Sequence, residues 1–457
     1  MMENIMFINR DNELKVLNQE YEKKGASFTV IYGRRRVGKT ALIREYIQGK
    51  PAIYIYLTER SLKDQLKQIT YQIVEYTGKE YLKNVEFTDF EQLFQLLADH
   101  IDSRKLILVF DEYQNLTKLD KSFSSILMKV WDLKLKFLDL HLILCGSVIS
   151  MMYSETLSYS SPLYGRRTSN IHLKPLAFQH IGDFVKDASK IDLMNIYASF
   201  GTIPKYLELY DNSKNFLENI RDNILDKNSY LYQEVKFLLK EEINEPTTYF
   251  NILEVISDGE TKIGKIGSKL NVPSSYLTRY LQKLADLDIV EKEVPITEKT
   301  PSKSKLGKYR IKDKFIQFWF YYVYRHYSYL EIGNVDYVIE EIKRTFNDKF
   351  VSFSFEDYVK ELLTYKPIEY LGFRPRNIGR WWNNSEEIDL VAIGDDAAAF
   401  IECKWRNQKV DYMVYNDLVR KSGYVSLPPG LKKEYVIFSK SGFKDNLEQA
   451  EGRFYTY

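Results

Sequence analysis

An apolar run, Phe28-Thr29-Val30-Ile31-Tyr32, leads directly into Gly33-Arg34-Arg35-Arg36-Val37-Gly38-Lys39-Thr40, a GxxxxGKT pattern. A strand, a glycine-rich loop and a helix start in that order build a phosphate cradle, because the glycines let backbone amides turn inward at a helix N-terminus. With glycine at about 7% of residues, the pattern arises by chance in roughly 1–2% of chains this long. The loop from Gly33 to Thr40 predicts a nucleoside triphosphate site, with ATP as cofactor. Lys39 is placed to reach the β- and γ-phosphates, and the Thr40 hydroxyl to ligate Mg²⁺. Arg34, Arg35, Arg36 and Val37 supply the amides between the two glycines.

A second apolar run, Leu106 to Phe110, delivers Asp111 and Glu112 at its end, where α/β sheets place ligands. Asp111 is expected to hold Mg²⁺ through water, and Glu112 to orient and deprotonate the attacking water. A site that only binds nucleotide does not need the second carboxylate, so hydrolysis is expected. Leu140 to Cys145 reads as another strand. Its polar end, Ser147, resembles the γ-phosphate-sensing position of AAA-type ATPases, a strand-end cap being the other reading. Arg166 and Arg167 precede the strand Ile171-His172-Leu173. Arg166 is a candidate for neutralising transition-state charge, in cis or across the boundary of a homo-oligomer; a solvated basic pair is the alternative.

At 457 residues the chain has room for about three or four domains. A net charge of +2 gives no global field for nucleic acid, so any basic surface must be local. Two cysteines, Cys145 and Cys403, sit far apart in predicted strands, which fits a reducing compartment rather than a disulfide framework or a cysteine zinc site. Met1 to Arg10 carries no signal-peptide core. The apolar stretch Phe315 to Tyr324 is too short to span a bilayer and reads as an aromatic core helix. A cytoplasmic protein without membrane contact is expected.

The expected fold is multidomain α/β. Residues 1–175 alternate strands and helices and form a P-loop core with a parallel sheet, entered through an amphipathic helix after Phe7. Residues 176–245 are mostly helical, interrupted at Gly201-Thr202-Ile203-Pro204, and form a lid. Residues 246–330 begin with three helices, the third opening at Pro273 with Leu277, Tyr280, Leu281 and Leu284 on one face. Two short strands joined by a basic turn follow, which completes a winged helix. Its third helix presents Ser275, Thr278, Arg279, Gln282 and Lys283. The wing adds Lys299, Lys303, Lys305, Lys308 and Arg310, and residues 297–314 hold seven basic groups against two acids. Such a local excess is the footprint of phosphate contacts, and DNA is the expected partner. A solvated wing on a packing domain is the alternative.

Residues 331–457 carry a second constellation. Ile388 to Ile393 and Ala399 to Lys404 read as strands joined by a turn at Asp395 and Asp396. A two-residue turn there sets Asp389 opposite Glu402, with Cβ atoms ~5 Å apart. Lys404, two residues on, shares that face. Two carboxylates and a lysine together suit a divalent cation, Mg²⁺ or Mn²⁺, and water activation. The arrangement resembles the PD-(D/E)XK nuclease superfamily, with Ile388 where its name implies proline. The resemblance implies a restriction-endonuclease-like α/β domain and a further acidic ligand from a preceding helix, for which Glu356 fits. A surface ion-pair network and an inactive nuclease fold are the other readings.

Over nearly its whole length the chain resembles the archaeal-type ATPases of bacteria and archaea. The likeness rests on Phe7 with Arg10, the GRRRVGKT loop, Asp111-Glu112, Leu144-Cys145-Gly146-Ser147, Leu163-Tyr164-Gly165-Arg166-Arg167, Gly201 to Pro204 and the C-terminal Asp389 and Glu402-Cys403-Lys404 pair. It implies an AAA-like core joined to a winged helix and a nuclease-like domain, with Arg10 near the nucleotide. Asn9 replaces the glycine usual in that entry motif. The leading functional expectation is an ATP-regulated, metal-dependent DNA nuclease. The alternative is a nucleotide-switched, STAND-like DNA-binding regulator or scaffold with an inactive nuclease fold.

Overall fold

The computed structural model describes residues 7–100, 105–243 and 245–457; residues 1–6 of the stretch read for a signal peptide therefore lie outside the described residues. The described chain divides into two compact units. One comprises residues 1–176 with 203–205, the other residues 177–202 with 206–457.

The first unit is built on five parallel strands: β1 (Ser27–Tyr32), β2 (Ala52–Tyr56), β3 (Leu106–Asp111), β4 (Leu140–Gly146) and β5 (Ser169–His172). Their spatial order is β2-β3-β4-β1-β5. β3 and β4 are buried at every position, which is why they read as unbroken apolar runs rather than alternating ones. Alternate residues still face opposite ways. Phe28, Val30, Leu108 and Leu142 enter one core, and Ile31, Ile107, Val109 and Ile143 enter the other. Because all five strands run the same way, the ends of β1, β3 and β4 converge on one edge of the sheet.

In the second unit, helices Lys190–Phe200 and Tyr230–Glu242 precede three further helices, Pro246–Ser257, Ile263–Leu270 and Ser274–Asp286. The last buries Leu277, Leu281 and Leu284, as its spacing predicts. An antiparallel ribbon follows, β6 (Val290–Glu293) with β7 (Lys308–Ile311). The aromatic stretch Phe315 to Val323 is buried, and no helix among the described residues is long and apolar enough to cross a membrane.

The C-terminal part holds a mixed sheet of β8 (Asn377–Trp382), β9 (Glu387–Ile393), β10 (Ala397–Lys404), β11 (Lys432–Ser439) and β12 (Arg453–Thr456), in the order β12-β11-β10-β9-β8. The β9–β10 hairpin closes with the Gly394 amide on the Ala397 carbonyl, leaving Asp395 and Asp396 as its two-residue turn. The ladder runs from Ala398 opposite Ile393 to Ile401 opposite Leu390, the predicted register. Helix Ser352–Tyr365 covers this sheet through Phe355, Val359 and Leu363. The ribbon also packs here. The Ile296 amide donates to the Arg380 carbonyl at 2.9 Å, and the Trp382 indole donates to the Leu306 carbonyl at 3.0 Å.

Candidate functional site

The loop after β1 is shaped by two glycines. Gly38, at φ 99°, caps helix Lys39–Ile47 in the left-handed region, where a Cβ is disfavoured. At Gly33, φ 152°, a Cβ would fall 2.3 Å from the Leu173 carbonyl oxygen, so no other residue fits this approach to the chain just past β5. Arg10 ties the loop down from outside: its guanidinium donates to the carbonyls of Val37 and Lys174, each at 2.9 Å. The sequence points Arg10 toward the nucleotide; in the structure its guanidinium fixes backbone at Val37 and Lys174. Arg36 takes φ 70°, a left-handed turn within the cradle.

Lys39 is only 7% exposed, and its ammonium donates to the Gly33 and Arg34 carbonyls at 2.8 and 2.9 Å. Burial lowers its pKa from the ordinary value, against the opposing pull of Glu112 and Asp111. It makes no ion pair among the described residues, and a buried cation held only by carbonyl oxygens fits an anionic ligand such as a phosphate chain. The Thr40 hydroxyl donates to Asp111 Oδ2 at 2.9 Å, bringing the two hard oxygen donors expected at Mg²⁺ together across the β1–β3 gap. These residues therefore fit Mg²⁺ and ATP, which when bound supply the substrate phosphate and its charge neutralisation. The Tyr54 hydroxyl donates to the same Asp111 oxygen at 2.6 Å. Burial, then Asp111, raises the Tyr54 pKa and keeps its proton on.

Glu112 lies just past the end of β3 with φ 59°. Its Oε2 accepts from Ser147 at 2.7 Å and from Gln114 Nε2. Ser147, at the end of β4, thus bonds the expected base. Gln114 and Tyr54 were not singled out by sequence reasoning. The only signal for Gln114 is its place two residues after Glu112 in Asp-Glu-Tyr-Gln.

Arg166 needs correction as a group acting in cis. It precedes β5, and the amide of Thr168, two residues on, bonds the Phe28 carbonyl near the start of β1. Five residues of strand, roughly 16 Å, separate that level from Gly33. The Arg166 guanidinium is forked onto Asp132, with the closest contact at 2.6 Å. Strand polarity puts it at the wrong end of its own sheet.

In the C-terminal sheet, Asp389, Glu402 and Lys404 come together as the register requires. Asp389 Oδ2 accepts from the Cys403 amide at 2.7 Å. Burial, then the Glu402 and Glu356 carboxylates, push the Asp389 pKa well above the usual range. Lys404 bonds Glu402 Oε1, while Glu402 Oε2 is buried without a hydrogen bond among the described residues. Glu356, expected as a further ligand, is corrected: Arg380 takes its Oε2 at 2.7 and 3.0 Å and also binds Asp357 and Glu293. The described residues contain no group of three acidic, histidine or cysteine ligands placed to hold a metal. Arg380 is 4% exposed and carries the one charge in Asn377–Trp382, and that lone charge was its signal in the sequence.

Two wing residues also need correction. Lys308 bonds Glu387 at 2.7 Å and lies over the Trp382 ring, and Arg310 pairs with Glu293. Lys308 is thus claimed by an acid of the neighbouring sheet, and Arg310 by one on the ribbon's own β6 strand. Lys299, Lys303 and Lys305, in the loop, are exposed.

Residues 7–210 match the model of an ATPase domain predominantly from Archaea, and residues 319–414 match archaeal and bacterial proteins of unknown function. The chain is 38% identical over 452 residues to the uncharacterized protein MJECL04 of Methanocaldococcus jannaschii, covering 96% of this chain and 97% of that one. The Walker-type ATPase PABY2304 of Pyrococcus abyssi is similar in fold, with a TM-score of 0.52 at 19% identity, over 68% of this chain and 95% of that one. The glycine-shaped loop and the matched domain point the same way: the chain belongs to one family with MJECL04, carries an archaeal-type P-loop ATPase domain and is an ATP-binding ATPase.

Proposed function

We propose that this ATPase acts on DNA, and that its nucleotide unit governs a divalent-metal-dependent nuclease formed by Asp389, Glu402 and Lys404. The observation that carries the nuclease is the unpartnered Glu402 Oε2, buried beside Asp389 on a face shared with Lys404. A buried carboxylate oxygen without a donor is costly, and a hard cation relieves that cost. Asp389 and Glu402 would hold Mg²⁺ or Mn²⁺, which polarises a phosphodiester and its attacking water. Lys404 stabilises charge developing on the phosphate. In the ATPase unit, Glu112 takes the proton of the attacking water, Lys39 neutralises phosphate charge, and Thr40 and Asp111 orient Mg²⁺. Arg166 is left a role only across a homo-oligomer boundary.

DNA contact is supported by the winged-helix reading of residues 246–330. Ser275, Thr278, Arg279 and Gln282 are exposed on helix Ser274–Asp286, as are Lys299, Lys303 and Lys305 in the ribbon's loop. Two buried free cysteines fit work in a reducing, cytoplasmic setting. A second reading is favoured by the Arg380 clamp on Glu356: a nucleotide-switched regulator or scaffold whose nuclease fold is inactive. Incubation with plasmid and oligonucleotide DNA, with Mg²⁺ or Mn²⁺ and with or without ATP, separates the two. Cleavage lost in Asp389→Ala supports the nuclease. DNA binding without cleavage under every condition selects the regulator, and neither binding nor cleavage overturns both.

A further inference from the structure

Gln114 is 2% exposed, and its amide is committed at one end only. Nε2 donates to Glu112 Oε2 and lies 3.3 Å from the Ser147 hydroxyl. Oε1 is buried and takes no hydrogen bond among the described residues. It is pressed against Gly146, where an added Cβ would fall 2.6 Å from it. A buried amide oxygen without a partner is destabilising, and native structures keep few of them. Turning the amide over would set Oε1 against the Glu112 carboxylate, acceptor against acceptor. The orientation is therefore dictated by Glu112, and the fold tolerates an orphaned oxygen to keep a donor on that carboxylate. The backbone agrees: Glu112 sits at φ 59°, and the Tyr113 amide pins the turn to the Cys145 carbonyl at 2.8 Å.

We propose that Gln114 is a positioning residue for ATP hydrolysis, acting through Glu112. Gln114 and Ser147 both donate to Oε2, which fixes the carboxylate plane and leaves Oε1 to accept the proton of the attacking water. The water oxygen then bonds to the γ-phosphorus as the bond to the ADP oxygen breaks. This inference rests on Glu112 as the base.

Gln114→Met keeps the side chain's length while removing the donor. It should lower kcat about 10- to 30-fold, a fraction of the ~10²–10⁴ that a positioned base supplies. KM and the affinity for a nonhydrolysable ATP analogue should stay within about twofold. In a Glu112→Gln background the same change should cost nothing further, because residues acting as a unit do not add. Gln114→Leu, which also removes the donor at similar volume, should give the same signature and decides the matter if Gln114→Met does not fold. An unchanged kcat, a raised KM with kcat intact, or losses that multiply in the double variant would overturn the brace. Normal hydrolysis by Glu112→Gln alone would remove the base itself, a separate failure that ends this inference too.

Discussion

The roles proposed for Lys39 and Glu112 differ, and single substitutions should separate them. Lys39→Ala removes the buried ammonium proposed to face the phosphate chain, so ATP affinity and turnover should fall together. Glu112→Gln keeps shape but not basicity, so an ATP analogue should bind normally while turnover drops at least ~10²-fold. Filter binding and phosphate release distinguish the two outcomes. His141 gives a stability prediction. It lies on β4 with Nε2 on Thr29 at 2.8 Å and Nδ1 on Tyr46 at 2.7 Å, and burial pushes its pKa down to about 3. The folded form keeps His141 neutral while the unfolded chain protonates it below about pH 6.5. Its contribution to stability is therefore present above that pH and is lost on acidification. Between pH 7.5 and 5 the loss is about 2 kcal/mol. Urea midpoints for the parent and His141→Gln should converge by about that amount as pH falls, and parallel curves would contradict it. The phosphate loop and Asp111-Glu112 were legible because their chemistry depends on short spacing along the chain. Tyr54 and Arg380 were not, because Asp111 and Glu356 come near them only through the fold; Gln114 lies two residues from Glu112, and spacing alone did not show that its amide turns back onto that carboxylate.

The β9–β10 hairpin was the most legible element, since a two-residue turn fixes every pairing that follows. The ribbon was less so. Its composition announced a basic surface but could not say which cations the neighbouring sheet would claim. Neutralising Lys299, Lys303 and Lys305 should reduce the salt slope of DNA binding by ~2–3, nearly one per lost phosphate contact. Lys308→Ala should barely move that slope and should instead loosen the ribbon, because Lys308 pairs with Glu387 and covers Trp382. DNA titrations at several salt concentrations, with limited proteolysis of the 294–307 loop, check both halves. A slope that falls with Lys308→Ala alone would reverse the assignment.

At the scale of the whole molecule, the nucleotide site and the Asp389–Glu402 face belong to different compact units. Asp389→Ala should therefore leave the steady-state ATPase rate within about twofold while removing any metal-dependent cleavage; a collapse of ATPase activity would mean that the carboxylate face supports the other unit. The contact between the ribbon and β8 has another consequence. β8 is an end strand, whose outer backbone groups would otherwise be open to pairing. The Ile296 amide on the Arg380 carbonyl occupies part of that edge from within the same chain, and the Trp382 indole holds the loop there through the Leu306 carbonyl. The basic loop thus also guards against self-association. Shortening it should make light scattering rise with protein concentration relative to the parent, as uncovered edges from separate molecules find one another.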